Sequence, residues 1–534
     1  MPTDCISFQN SGYFSTLMTD YLDQKEPLNE LYNRFPTLEN FENQIVEKKS
    51  NFNTNADSNT KRAVLVSVLK AQYAKITTSP LTQHNIELLV EANTFTVTTG
   101  HQLNLFSGPL YFLYKIISTI NLTKELKTKY PDSHFVPVYW MATEDHDFEE
   151  INYFNFKGKK FRWNTHSAGP VGRLSTQGLA EFLEIYALEL GSSTNASFLK
   201  KLFEEAYLNH TNLADATRFL ANALFGEYGL VILDADETEL KRQFIPYIKE
   251  ELVRQTAQKQ VLDTAKKLEQ YTVQVNPREI NLFYIEDKLR ERIVYEAGIY
   301  KINNTKIMFT PTEILALLAT HPEKFSPNVI MRPLYQEVIL PNLCYIGGGG
   351  EIAYWLELKS FFDAAKVTFP ILLLRNSAVL ATQKQIKKAD ALGLSWRDLF
   401  QKQEQLITNK THELSDFPID VQPLKAQLQL QFEQLYELTK HTDSSFLGAV
   451  KAQQIKQTKG LENLEKRLIK AQKRKLNDVL ERITALQNEL FPNGSLQERQ
   501  TNFSEFYLES GDQLIPTIVK ELHPLASDFN CITL

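Results

Sequence analysis

Three short segments hold most of the residues whose types and spacing could do chemistry. The first runs from Thr99 through Gly100, His101, Gln102, Asn104 and Ser107 to Gly108, where an apolar strand gives way to a helical pattern. Ligands of open α/β sheets bind at strand ends of this kind. Gly100 and Gly108 would let the backbone approach a ligand, and N–H groups at a helix start favour an anion. His101 and Gln102 could donate to a phosphate, with Thr99, Asn104 and Ser107 beside them. The segment is neither a Walker A loop nor GxGxxG. The plainer alternative is a βα turn whose histidine caps something locally.

The second segment, Glu144 to Glu150, packs five carboxylates and His146 into seven positions. Their mutual repulsion calls for a cation or an ammonium among them. Asp145, His146 and Asp147 are the catalytic candidates, and Glu149 is a binding candidate. They could ligate a divalent metal or hold a substrate ammonium and provide a base; a solvated acidic turn is the bland alternative. The third segment is Gly347, Gly348, Gly349 and Gly350 followed by Glu351, Tyr354 and Trp355. It reads as a mobile, side-chain-free loop able to fold over a phosphate or carboxylate, or as a flexible loop with no role. Upstream, Arg332 offers a planar fork of donors to an anion, with Gln336 near it. Arg375 is a further cation. Cys344 has no His–Asp partner nearby in sequence and reads as a small buried hydrophobe.

The elements that must position these residues follow from periodicity. Strands are expected at Phe95 to Thr98, Phe135 to Met141, Gly229 to Leu233, Val329 to Met331, Val338 to Leu340 and Ile371 to Leu374. Helical spacing runs from Gly108 to about Lys129. The first 90 residues read as mostly helical, with a polar loop at Asn51 to Thr60. The alternation is interrupted twice, with hairpin patches at Leu282 to Ile285 and Ile293 to Tyr295. Leu476, Val479, Ile483, Leu486 and Leu490 are spaced 3, 4, 3, 4, like Leu461, Leu464 and Leu468. Leu424, Leu428, Leu435 and Leu438 offer a partner, giving an antiparallel hairpin with a coiled-coil seam that ends at Pro492-Asn493-Gly494. The fold class is α/β, a Rossmann-like nucleotide-binding core with two insertions and a long helical coiled coil. Core parts fall at 1–151, 216–257 and 328–383, insertions at 152–215 and 258–327. The coiled coil spans 384–491, and a segment returning to the core spans 492–534.

A chain of 534 residues exceeds one hydrophobic core. A net charge of −6 argues against a broad grip on nucleic acid. Three scattered cysteines make neither a disulfide framework nor a zinc site. The polar start shows no signal peptide, and no apolar run is long enough to span a membrane, so the expected location is cytoplasmic.

The stretches TGHQLNLFSGPLYFLYK (99–115), PVYWMATEDHDFEEIN (137–152), SPNVIMRPLYQEVILPNLCYIGGGGEIAYW (326–355) and LQERQTNF (496–503) resemble the bacillithiol cysteine-adding enzyme family, BshC. His101 stands where that family usually has glutamine, and Gly349 where it has proline. The resemblance implies a core related to class I aminoacyl-tRNA synthetases, two connective-peptide insertions and a coiled coil used for homodimerisation. It implies ligation of L-cysteine to glucosamine-malate, with the 99–102 segment standing where those synthetases bind nucleotide. The carboxylate would be activated by ATP or another nucleotide, as an adenylate or acyl phosphate; no metal is assigned. The rival readings are a nucleotidyltransferase or metal-dependent hydrolase on the same core, and a non-catalytic dimeric nucleotide-binding scaffold.

Overall fold

The computed structural model describes residues 6–53 and 58–534. Two compact units emerge. One takes the described residues up to Leu380 together with Leu496–Ile532, beginning at Ile6, and the other takes Ala381–Ser495.

The first unit is built on five parallel strands: β1 (Thr94–His101), β2 (His134–Met141), β3 (Val231–Asp234), β4 (Asn342–Gly347) and β5 (Ile371–Leu374). Their order is β5-β4-β1-β2-β3. Parallel strands covered on both faces read as nearly continuous apolar runs, which is why ILLL and FVPVYWM stand out in the sequence. Phe95, Val97, Leu343, Ile346, Ile371 and Leu373 share one core cluster with Leu122 and Leu126 of helix α1 (Tyr111–Lys129), which crosses from β1 to β2. From β1 the chain moves outward through β2 to β3, whereas β4 returns to pair on the other side of β1. The strand order therefore reverses between β1 and β4, and a crevice must open at their carboxyl ends.

Between β2 and β3 lie a two-stranded hairpin (Tyr153–Phe156 with Lys159–Arg162), a single helical turn before it (Phe148–Ile151) and the longer helices Leu179–Leu190, Thr194–Tyr207 and Leu213–Phe225. Between β3 and β4 lies a five-stranded antiparallel sheet formed by Leu282–Glu286, Leu289–Glu296, Ile299–Ile302, Met308–Phe309 and Phe325–Pro327. Two expected strands are absent. Val329–Met331 and Val338–Leu340 belong to the approach and end of helix α2 (Met331–Ile339), and the strand is β4, immediately after it. Short apolar runs do not by themselves separate helix from strand, and Pro333 fits the first turn of a helix, where its missing N–H costs nothing. The expected loop at 51–60 is helical at both flanks, since Asn40–Asn53 and Ser58–Tyr73 are helices. Its middle, like Cys5, lies outside the described residues.

In the second unit, helices α4 (Gln422–Thr439) and α5 (Ser444–Lys475) form an antiparallel hairpin. Lys425 pairs with Glu465 at 3.1 Å, and Tyr436 donates to Gln454 at 2.6 Å. The two pairs advance oppositely along the helices, as an antiparallel register requires. The seam expected to continue through Leu490 does not. The chain breaks at Leu476, and helix α6 (Asn477–Leu490) turns Leu480, Ile483, Leu486 and Leu490 onto helices Gln403–Glu413 and Gln383–Ala391 of its own unit. An amphipathic helix facing a core and a coiled-coil seam share nearly the same period, so spacing alone could not separate them. Among the described residues no helix is long and apolar enough to cross a membrane. Ile483 is fully buried. Ile483→Ala should destabilise the protein by about 2–5 kcal/mol through lost burial and a residual cavity; denaturant unfolding with an unchanged midpoint would contradict its core placement.

Candidate active site

A cavity of about 570 Å³ opens at the reversal of strand order, a size suited to a small-molecule site. Its floor is an ion pair between a buried lysine and a half-buried carboxylate. Lys115 rises from α1, which is buried almost all round, and donates to the Gly100 carbonyl at 2.6 Å while pairing with Glu351 of helix α3 (Gly349–Leu356). Tyr345 of β4 donates to the other Glu351 oxygen at 2.8 Å. Burial lowers the Lys115 pKa from its ordinary value; Glu351 opposes that shift, and Arg375 and Arg332 add to it. His101 packs on Tyr111 and Phe112. Burial, then Lys115 and Arg375, hold its imidazole well below the usual range, so the ring is neutral.

One flank is acidic. The segment after β2 places Glu144, Asp145, Asp147 and Glu150 along the cavity. Gln102 donates to Asp145 at 3.1 Å and to Glu150 at 2.8 Å, bridging two of the expected segments. Glu144 meets Lys241 at 2.6 Å. Burial raises its carboxyl above the ordinary value, and Lys241 opposes the rise. Among the described residues no three His, Cys, Asp or Glu side chains gather as a metal-binding group.

The other flank is basic, and it comes largely from the insertion between β3 and β4, which supplies Arg278, Arg290 and Arg292. Arg290 is committed: it lies over Phe283 at 4.0 Å and donates to His146 Nδ1 at 2.7 Å. A guanidinium only donates, so that nitrogen accepts and the ring proton sits on Nε2. Arg332 lies 5.6–6.0 Å from the ring centroids of Trp140, Tyr345 and Trp355, and it donates to Tyr354 at 3.2 Å and Gln336 at 3.1 Å. Among the described residues no carboxylate forms an ion pair with Arg332, Arg278 or Arg292.

Of the expected residues, Gly100, His101, Gln102, Asp145, Asp147, Arg332, Glu351 and Tyr354 line the cavity. The others do not. Thr99 donates to the Ile346 carbonyl at 2.7 Å and ties β1 to β4. Asn104, Ser107 and Gly108 belong to a buried kink, in which Asn502 donates to the Phe106 and Gly108 carbonyls at 2.8 and 2.6 Å. Gly108 has φ +62°, and a Cβ there would meet that of Asn104 at 2.6 Å, so this glycine serves the kink. Glu149 turns outward to Arg162 at 2.9 Å. His146 is held by Arg290 beside the site. Gln336 braces Arg332 from behind, and Trp355 is core, its ring tilted against that of Tyr345 with centroids 4.6 Å apart. Arg375 is spent on buried Glu498 at 2.6 Å.

The four glycines are not a mobile loop. Gly347 ends β4, Gly348 is the N-cap of α3, and Gly349 and Gly350 are its first turn. None has positive φ, and none lines the cavity. At Gly349 a Cβ would press on Met18 at 3.3 Å and Phe14 at 3.4 Å, a packing constraint. Gly100 is the glycine the cavity needs, since a Cβ there would meet Tyr345 Oη at 3.1 Å and Arg332 Nη1 at 3.7 Å.

Sequence reasoning missed Lys115, Arg278, Arg290 and Arg292. A lysine set within the apolar first two turns of α1, Tyr111 to Ile117, was a signal for the first. Arg290 and Arg292 stand two apart on a strand and so share a face. Arg278, in irregular chain, carried no signal. Gly100→Ala should impair substrate binding with little change in melting temperature, whereas Gly349→Val should cost about 1–3 kcal/mol of stability by overpacking. The reverse pattern in paired activity and melting measurements would reject this assignment.

Comparison with known proteins agrees with this architecture. Residues 1–376 match the family described as "Bacillithiol biosynthesis BshC, N-terminal Rossmann-like domain", and residues 378–534 match its C-terminal coiled-coil domain. A protein of Flavobacterium johnsoniae named "Putative cysteine ligase BshC" is 71% identical over 534 residues, covering 100% of both chains. Relatives of the same name in Flavobacterium psychrophilum and Cytophaga hutchinsonii are 64% and 39% identical, covering 100% and 97% of this chain and 99% and 96% of theirs. The chain therefore belongs to the BshC family of bacillithiol biosynthesis.

Proposed function

We propose that this chain is a cysteine ligase of the cytoplasm, joining the carboxyl group of L-cysteine to the amino group of glucosamine-malate to form bacillithiol. One observation carries the reading: carboxylates from one segment and unpaired guanidinia from others share a single cavity at the crevice of the sheet. The substrates carry ammonium groups and carboxylates, and this wall chemistry matches both. Asp145 and Asp147 hold the attacking amine and take its proton, because only a neutral amine is a nucleophile. Arg332, held rigid by Gln336, Tyr354 and three rings, is aimed at an oxygen on which negative charge grows.

A carboxylate must be activated before an amine displaces its oxygen in water, and ATP would supply that activation when bound. Arg278, Arg292 and Arg332 are the guanidinia that would hold its phosphates, matching them in charge and planar geometry. The turn at 347–350 does not serve as a phosphate cradle in this reading, because it packs on Phe14 and Met18. The direct test is to incubate purified protein with cysteine, glucosamine-malate and ATP and to follow bacillithiol and the nucleotide product by mass. Absence of bacillithiol overturns the reading.

Asp145→Asn is nearly isosteric and keeps an acceptor for the His146 backbone N–H. It should lower turnover by roughly 10²–10⁴-fold while the folded spectrum is retained. Wild-type turnover would remove Asp145 from the chemistry.

The chain is further read as a homodimer through its coiled-coil hairpin. Leu424, Leu438, Ile455 and Leu464 are all more than half exposed on α4 and α5, and a second copy would cover them. Leu424→Glu combined with Leu464→Glu should yield monomers in sedimentation at an unchanged melting temperature. A wild-type chain that already sediments as a monomer would refute the dimer.

A further inference from the structure

Glu357, just past the end of α3, is fully buried yet meets no basic side chain among the described residues. Its two oxygens accept backbone N–H groups, from Gln274 at 2.7 Å and Val275 at 3.4 Å. Those residues open an irregular strap, 274–281, that runs along the cavity wall and presents Asn276, Arg278 and Ile280 to it. The far end of the strap is also fixed to a buried carboxylate, since the Asn281 backbone and side-chain amides donate to Glu251 at 3.0 and 2.8 Å. Arg278 itself is exposed, bears no ion pair among the described residues, and is placed only by the backbone that carries it.

We propose that Glu357 is a positioning residue for anion recognition: by accepting the Gln274 and Val275 N–H groups it pins the strap so that Arg278 can take an anionic group of the ligand in the cavity. This rests on the ligase reading for the identity of that ligand, a substrate carboxylate or a nucleotide phosphate. The pin works only as a carboxylate, because a protonated oxygen is a poor acceptor for an N–H group. Burial pushes the Glu357 carboxyl up to about 7, with the two N–H groups opposing the rise. The other titratable groups on the elements packed around it are already matched. Lys359 pairs with Asp363 on its own side, and Lys267 pairs with Glu30 across it. Asp20 is held by Lys25 and Tyr271. The strap is therefore held above pH 7 and loosened below it, and anion affinity falls with it.

The test uses the full chain and two probes, L-malate and ATP, titrated by calorimetry at pH 8 and pH 6. Amide exchange is followed at Gln274 and Val275. Glu357→Gln and Arg278→Ala should weaken the same probe on the order of ten-fold at pH 8, the size of one lost charge-assisted contact. Which probe weakens identifies the anion. Only Glu357→Gln should speed exchange at the two amides, and wild type should approach it as pH falls. In the ligation assay both variants should raise KM for the affected substrate more than they lower kcat. Arg278→Ala alters an exposed side chain and keeps the fold, so a poorly folding Glu357 variant does not remove the test. The proposal is overturned if Arg278→Ala weakens neither probe, or if Glu357→Gln frees the amides without loss of affinity. A wild-type chain that binds these anions but makes no bacillithiol would refute the ligase reading and leave the strap standing.

Discussion

A lysine ammonium taken out of water has to be matched, and the way Lys115 is matched sets the geometry of the whole site. Its partners are a carbonyl at the end of β1 and a carboxylate on α3, which follows β4. The pair therefore clamps the two strands between which the sheet reverses. Removing Glu351 would leave the buried Lys115 ammonium without a counter-charge, a loss of about 3–5 kcal/mol for buried pairs. Tyr345 takes the remaining carboxylate oxygen, so the floor of the cavity is fixed by bonds in three directions.

Above that floor the two signs of charge arrive by different routes. The carboxylates lie on the turn that leaves β2, within the core, whereas three of the four arginines belong to the insertion before β4. The fourth, Arg332, is braced through a buried relay. Lys48 pairs with Glu337 at 2.8 Å, Asn342 and Gln336 donate to the same carboxylate at 2.7 and 3.0 Å, and Gln336 accepts from Arg332. A charge held this way reorganises little when a ligand arrives, which is the condition for strong electrostatic stabilisation.

Much of this was legible in the sequence. The strands β1, β2, β3 and β5, both insertions and the hairpin of α4 and α5 follow from apolar runs and their interruptions. So do the cavity positions of Gln102 and Asp145, at the ends of β1 and β2; Arg332 was picked out by its guanidinium alone and stands on a helix where a strand was expected. What was not legible has a common cause. A run of side chains says which residues are buried but not what buries them. The seam of α6 faces its own unit, the four glycines pack on Phe14 and Met18, and Arg375 answers Glu498 from a segment more than a hundred positions on, at a separation of 123 residues. In each case the deciding neighbour is remote in sequence. Arg278 is the extreme instance, its strap pinned by a carboxylate just past α3 that lies some eighty positions further on, 83 for the Gln274 contact.

The central strand carries a consequence for biosynthesis. β1 gains its first neighbour soon after it is made, but its other edge is closed only by β4, and the bond between Thr98 and Asn342 spans 244 positions. While a ribosome works through both insertions, that edge presents a row of unpaired N–H and C=O groups flanked by apolar side chains. Exposed edges of this kind recruit strands from other chains, and long loops close slowly. The nascent chain thus carries an unpaired central edge over the 244 positions that separate Thr98 from Asn342. Shielding that edge until β4 arrives is therefore a demand the topology itself places on the folding of this chain.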